Sequence, residues 1–152
     1  MMEAGVDWIV RHPKERRSKC SLEPLRGRED LVFSNWRADS RYDASGYVVL
    51  EMGAPEIGPE DGDWPLLLLD STWRRLPAMR ATVWRPGRRR SLPGWLRTAY
   101  PRSSKLSADP QGGLASVEAL YAARWFQGRS TDGLLDLYYW REAFLRGFRE
   151  RS

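Results

Sequence analysis

Cysteine and histidine are nearly missing from this chain, and each scarcity excludes a class of protein. A single cysteine, Cys20, rules out a disulfide framework and a cysteine-based zinc site. A single histidine, His12, rules out a multi-histidine metal centre. Lysine is scarce as well: Lys14, Lys19 and Lys105 are the only three, against 22 arginines. No apolar run approaches the roughly 20 residues that cross a bilayer, so no membrane partner is expected. No internal repeat is visible, which disfavours solenoids and propellers. The opening MMEAGVDWIVRH lacks a basic start and a long apolar stretch, so no secretory signal is read and the cytoplasm is the expected compartment.

What is present describes a foldable, basic domain. The chain has 152 residues, with 41% apolar and 12% aromatic residues, which suits one folded unit rather than disorder. Its 25 basic and 20 acidic residues give +5. That balance fits a polyanionic partner, and it equally fits the arginine enrichment of a high-GC genome.

Along the chain, Val6–Arg11, Asp30–Phe33 and Tyr47–Met52 read as strands, with a loop over His12–Lys19 and a polar, turn-rich stretch over Ala38–Gly46. Gly53–Asp63, with two prolines, three glycines and four acidic side chains, reads as a surface loop. Pro65–Asp70 (PLLLLD) is the most apolar segment and suits a strand buried on both faces of a parallel sheet. Ser71 onward reads as a short helix capped by Asp70 or Ser71. Arg80–Arg102 reads as basic and irregular, and Ser107–Gly113 as a loop. Leu114–Phe126 places Leu114, Val117, Leu120, Tyr121 and Trp125 on one helical face. A last helix is predicted from Ser130–Asp132 toward Arg149, capped by Ser130 or Thr131. Its apolar stripe holds Leu134, Leu137, Tyr138, Phe144, Leu145 and Phe148, with Arg141 on the stripe and in need of a partner if buried. Strands followed by strand–helix units indicate an α/β fold with a mainly parallel sheet. Ligands in such sheets bind beyond the carboxyl ends of the strands, so the end of PLLLLD is the first place to look.

Four motifs stand out, each with an ordinary structural explanation. Asp70–Ser71–Thr72–Trp73 is either a helix cap followed by a core tryptophan, or a carboxylate and amide donors facing a ligand crevice. Leu114–Leu120 (LASVEAL), after Gly112 and Gly113, is either a helix start with Glu118 in the favourable first turn or a loop closing over a nucleoside. His12–Pro13–Lys14–Glu15 and Lys19–Cys20–Ser21–Leu22 follow closely. His12 lacks a nucleophile partner and reads as structural, while Lys19 would lower the Cys20 pKa. Arg80, Arg85, Arg88, Arg89, Arg90, Arg97 and Arg102 alternate with Trp84, Trp95 and Tyr100. Such a segment is a solvated face or, because bases stack on rings and guanidinium planes, an RNA surface.

In this order the motifs resemble those of the DTW-domain proteins, which are tRNA-uridine aminocarboxypropyltransferases, and of the related aminocarboxypropyltransferases that act on small-subunit ribosomal RNA. Asp70, Thr72 and Trp73 match the Asp-x-Thr-Trp motif, and His12, Pro13 and Glu15 match its HPxE element. Leu114–Ala119 is similar to L-S-T-x-E-A, with Ala115 and Ser116 at the Ser and Thr positions. Cys20, Ser21 and Leu25 resemble the C-S/T-G-x-x-L element of the rRNA branch, with Leu22 at the Gly position, and Leu92–Pro93 resembles its L-P element. The resemblance spans Ile9 to Ala119.

It implies a single SPOUT-like domain over 1–152: N-terminal strands to about 60, a cofactor-binding part with a trefoil knot over about 65–128, and a C-terminal helix over about 130–150. It implies S-adenosylmethionine as cofactor and tRNA or rRNA as partner. A base, a uridine or pseudouridine, would attack Cγ of the methionine moiety, taking the 3-amino-3-carboxypropyl group and releasing methylthioadenosine. Asp70 and Trp73 would be catalytic, Asp70 as an ammonium ligand or as base for the imide proton. Ser21, Leu69, Asp70, Thr72, Leu92, Leu96, Ala115, Ser116 and Ala119 would hold the cofactor. Arg85, Arg88, Arg89, Arg90, Arg97, Tyr100 and Arg102 would hold RNA. The N-terminal cysteine cluster of many DTW proteins is missing, so no metal is expected, and the families imply a monomer. A SPOUT methyltransferase and a non-catalytic RNA-binding module are the competing readings.

Overall fold

The computed structural model describes residues 5–14, 20–100 and 113–151. Its centre is a five-stranded, all-parallel sheet. In chain order the strands are β1 (Asp7–Arg11), β2 (Leu31–Asn35), β3 (Tyr42–Asp43), β4 (Val48–Leu50), β5 (Leu66–Asp70), β6 (Val83–Trp84) and β7 (Arg88–Arg90). The sheet order is β2-β1-β5-β4-β7, and β3 and β6 form a separate parallel pair. The helices are α1 (Leu76–Arg80), α2 (Ser116–Gln127) and α3 (Arg141–Arg151). No helix among the described residues is long and apolar enough to cross a membrane.

The leucine run behaves as a doubly buried strand must. Side chains alternate across a strand, so Leu66 and Leu68 enter one core while Leu67 and Leu69 pack into the other. β1 and β4 do the same, with Ile9 and Val48 on the first side and Val10 and Val49 on the second. The first core lies under α2 and α3 and is closed by Val117, Leu120, Phe144 and Phe148. The second lies under α1 and the β3–β6 pair and contains Tyr42, Ala44 and Met79.

Several elements depart from the sequence expectations. The helix after β5 starts at Leu76, with Pro77 in its first turn, and neither Asp70 nor Ser71 caps it. Asp70 still belongs to β5, and its side chain is turned to other partners. The basic 80–102 segment is not irregular throughout, because β7 adds a strand to the sheet edge along β4. The turn-rich 38–46 stretch likewise contains β3, and Tyr42 is buried there. The Gly53–Asp63 loop hides Ile57 and Asp61. The last helix begins at Arg141, about three turns later than its pattern predicts. Gly133 adopts φ +77° and diverts the chain, so Leu134 and Leu135 are buried while Leu137 and Tyr139 point outward, 74% and 85% exposed. Ser130 therefore caps only a local turn, accepting the Asp132 N–H. Arg141 is exposed rather than buried on the stripe. On α2, Trp125 is substantially exposed, although Leu120 and Val117 face the core as expected.

At the amino ends of the strands a buried ionic cluster ties α2 to the sheet. Asp7, fully buried, accepts the Leu66 N–H at 2.7 Å, Arg124 Nε at 2.7 Å and Arg129 Nη1 at 2.9 Å. Arg124 also donates to Asp30 at 2.8 Å. Gly128, at φ +76°, ends α2 and lets Arg129 turn back toward Asp7. Removing one partner of such a cluster leaves uncompensated buried charge. Asp7→Ala is expected to lower stability by about 3–5 kcal/mol in denaturant titration, without a change in the surface exposed on unfolding.

Asp30 adds an acid dependence. Its hydrogen bond from Arg28 holds its pKa well below the usual carboxylate range, partial burial opposes this, and Arg124 reinforces it. A depressed carboxyl pKa stabilises the fold above the unfolded value and loses that contribution as pH falls through the folded one. Stability is therefore expected to decline on acidification below about pH 4, and Arg28→Ala should flatten that decline in thermal melts between about pH 5 and 2.

Candidate active site at the carboxyl ends of β1 and β5

In an open parallel sheet the crevice forms where neighbouring strands send their connections in opposite directions. β1 leads outward to β2 on one side, and β5 leads to the β7 side. Their carboxyl ends carry Arg11 and Asp70, which are register partners, and Arg11 also pairs in register with Asn35 of β2. Asn35, Arg11 and Asp70 thus form one row across three strands, at the end where sequence reasoning placed the site.

Three side chains converge on Asp70 from distant parts of the chain. Ser116 Oγ donates to Asp70 Oδ1 at 2.6 Å, Cys20 Sγ donates to Oδ2 at 3.0 Å, and Arg11 Nε donates to Oδ2 at 3.2 Å. The expectation of a carboxylate open to a crevice needs correction, because Asp70 is buried and held from three sides. A carboxylate has about four lone-pair positions, so one on Oδ1 remains for a ligand. Cys20 is also corrected: burial and the neighbouring Asp70 charge push its thiol up to about 12, the opposite of the lowering expected from Lys19. Lys19 lies outside the described residues.

The LASVEAL segment docks beside this group. Ser21 Oγ accepts the Val117 N–H at 3.1 Å, so the Cys20–Ser21 turn serves the first turn of α2 while Cys20 serves Asp70. Glu118 stands in the first turn of α2, as expected from sequence, but its role extends beyond the helix end. It is fully buried and accepts from Ala115 N at 2.8 Å, Ala99 N at 2.8 Å, Thr98 Oγ1 at 2.7 Å and the Tyr138 hydroxyl at 3.0 Å. It therefore fixes the 113–115 backbone, the 98–99 turn and the 138 turn relative to one another. Only a buried carboxylate with four donors could have signalled this, and sequence spacing does not reveal burial.

The remaining candidates fall in two groups. Leu69 follows Leu68 at the end of β5; Leu92, Leu96, Leu114 and Ala119 line the adjacent core, and Ala115 precedes α2. Thr72 is exposed, and Trp73 is half-buried with the Arg74 guanidinium 5.6 Å from its ring, so Trp73 belongs to neither core. The arginines expected to hold RNA are engaged within the protein. Arg88 and Arg90 both pair with the buried Asp61, Arg89 with Glu51 and Arg85 with Asp43. Arg97 donates to the Gly94 and Leu96 carbonyls, and Tyr100 packs edge-on against Trp140. Arg102 and Glu15 lie outside the described residues. His12 stacks on Trp36 at 5.1 Å, its backbone N–H donates to the Asp70 backbone carbonyl and its Nδ1 accepts the Lys14 N–H. No group of three or more His, Cys, Asp or Glu that could hold a metal ion occurs among the described residues.

No family model and no curated protein matches this chain. Among solved structures it is similar to the SAM-dependent rRNA:acp-transferase Tsr3 from Vulcanisaeta distributa. The TM-score is 0.74 at 22% sequence identity, over 97% of this chain and 80% of that one. The two chains share a fold. The mainly parallel α/β architecture expected from sequence is thus found both in the strand register and in a solved neighbour.

The state of Cys20 gives a direct check on the site's geometry. A thiol with its pKa near 12 is almost wholly protonated at neutral pH and reacts slowly. Alkylation by iodoacetamide at about pH 8 is expected to run at least tenfold slower than for a free cysteine, and Asp70→Asn should accelerate it by removing the charge that opposes the thiolate.

Proposed function

We propose that this protein transfers the 3-amino-3-carboxypropyl group of S-adenosylmethionine to a base, a uridine or pseudouridine, in RNA. The carrying observation is the convergence of Cys20 and Ser116 on Asp70 at the carboxyl end of β5, with Ser21 of the same turn accepting an amide from the start of α2. These residues come from the separate sequence elements that resemble aminocarboxypropyltransferases, and they meet on a fold shared with an rRNA:acp-transferase. That neighbour favours rRNA as acceptor over tRNA. The reading includes a single SPOUT-like, knotted domain that acts as a monomer.

The residues fit the cofactor chemically. An ammonium needs an anionic acceptor, and Oδ1 of Asp70 retains a lone pair beside Ser116. Oδ2, shared by Arg11 and Cys20, is occupied. In this reading Asp70 holds the methionine ammonium through Oδ1, ahead of the alternative in which the same oxygen takes the imide proton. The Ser21 and Ser116 hydroxyls flank the same end of the strand, and Leu69, Thr72 and the 113–115 backbone border it for the nucleoside, with Leu92, Leu96 and Ala119 behind. Bound there, S-adenosylmethionine supplies a sulfonium whose Cγ is open to attack and a neutral thioether as leaving group. The protein's task is then positioning: to orient Cγ, rather than the methyl carbon, in line with the base. Trp73, half-buried at the rim, offers a ring on which that base can stack.

Carboxyl-labelled S-adenosylmethionine is expected to label RNA, and methyl-labelled cofactor is not. The reverse pattern identifies a methyltransferase, and label from neither identifies a binding module. Asp70→Asn should reduce transfer by roughly 10²-fold, with RNA affinity retained and thermal unfolding followed in parallel, since the change also weakens the hold on Arg11.

A further inference from the structure

Arg11 has one nitrogen left over. Its side chain is 4% exposed; Nε is bonded to Asp70 and Nη1 to Glu23 at 2.6 Å. Nη2 is buried and makes no hydrogen bond with any described residue. A buried guanidinium N–H without an acceptor is costly, and such an atom marks a place where an acceptor belongs. Arg11 also lines a small hollow of about 70 Å³ with Arg26, Phe33, Ser34 and Asn35, enough for a tetrahedral oxyanion.

The hollow is positively charged and polar, with one aromatic wall. Arg11 and Arg26 lie 5.2 and 5.4 Å from the Phe33 ring centre. The same short turn, Glu23–Leu25, carries both the carboxylate that holds Arg11 and, at its end, Arg26. Glu23 is spent on Nη1, so no carboxylate lines the hollow itself. In the register row, Arg11 and Asn35 sit beside Asp70, one and two strand spacings away, about 5 and 10 Å. That is the scale separating a nucleotide's base from its own phosphates.

We propose that the notch formed by Arg11, Arg26 and Phe33 binds a backbone phosphate of the RNA acceptor next to the nucleotide presented at Asp70. The notch rests on the RNA reading above, but not on the transfer chemistry. Phosphate takes a planar guanidinium fork well, and a phosphate seated there fixes how far the adjacent base reaches toward the site. The other source of the same anionic oxygens is the cofactor's carboxylate, which the experiment separates.

Arg11 supports Asp70, so its removal can unfold the site; Arg26 is exposed and is the residue to change. The probe is a fluorescein-labelled single-stranded RNA titrated by anisotropy without cofactor over a range of salt, with S-adenosylmethionine affinity measured separately by calorimetry. Arg26→Ala is expected to weaken RNA binding roughly tenfold and to lower the slope of log affinity against log salt by about 0.7, the loss of one phosphate contact on a single strand. Cofactor affinity should be unchanged, and Arg149→Ala on α3 should have little effect. Loss of cofactor affinity with RNA binding intact would assign the notch to the carboxylate and overturn the proposal. So would no change in either affinity, or an equal loss in Arg149→Ala, which would mean only bulk charge. Normal, Arg26-dependent RNA binding by a wild-type chain that transfers nothing would sink the transfer reading and leave the notch standing.

Discussion

The Arg11–Asp70 ion pair is the constraint on which the carboxyl face depends. It joins the ends of the two central strands, and each partner recruits a separate segment: Arg11 holds the turn at Glu23, and Asp70 holds Cys20 and the start of α2 through Ser116. Both side chains are almost completely buried, where the loss of hydration largely cancels the attraction between them. The pair therefore contributes little net stability compared with an apolar replacement, and its value lies in fixing where four pieces of chain meet.

The opposite edge uses the same device differently. Asp7 is surrounded by donors from α2 and from the turn beyond it, and it also accepts a backbone amide of β5, so every oxygen has partners. Each carboxylate accepts three donors; what distinguishes the carboxyl end is the buried Nη2 of Arg11, which has no acceptor among the described residues. That orphaned N–H is the observation on which the proposed notch is built. Arginine suits the Asp7 end where lysine would not. Arg124 reaches Asp7 and Asp30 at once, which a planar fork can do and a single ammonium cannot do in fixed geometry.

Much of this was legible in the sequence. Leu66–Leu69 suited a doubly covered strand, because a strand covered on both faces buries four consecutive leucines. The end of that strand, Asp70, was then a physical deduction. Ser21 and Ser116 were found by motif resemblance alone, since nothing in their spacing brings them together. Three features were illegible for identifiable reasons. Gly133 broke a helical stripe whose periodicity looked continuous. The burial of Glu118 and Asp61 was hidden, because burial of a charge depends on donors supplied from elsewhere in the fold. The arginine-rich strip reads in sequence as a solvated face or an RNA surface, yet Arg85, Arg88, Arg89 and Arg90 pair with carboxylates 27 to 42 residues away, which no local pattern encodes.

The sequence distances within the site have a kinetic meaning. Asp70 lies 59 positions from Arg11, 50 from Cys20 and 46 from Ser116. Every central strand pairing is parallel and therefore bridges a long excursion of the chain. Chains dominated by such remote pairings fold slowly, because much loop entropy is lost before the contacts form. The Arg11–Asp70 corner can form only after those closures are complete. A newly made chain would assemble it late and all at once.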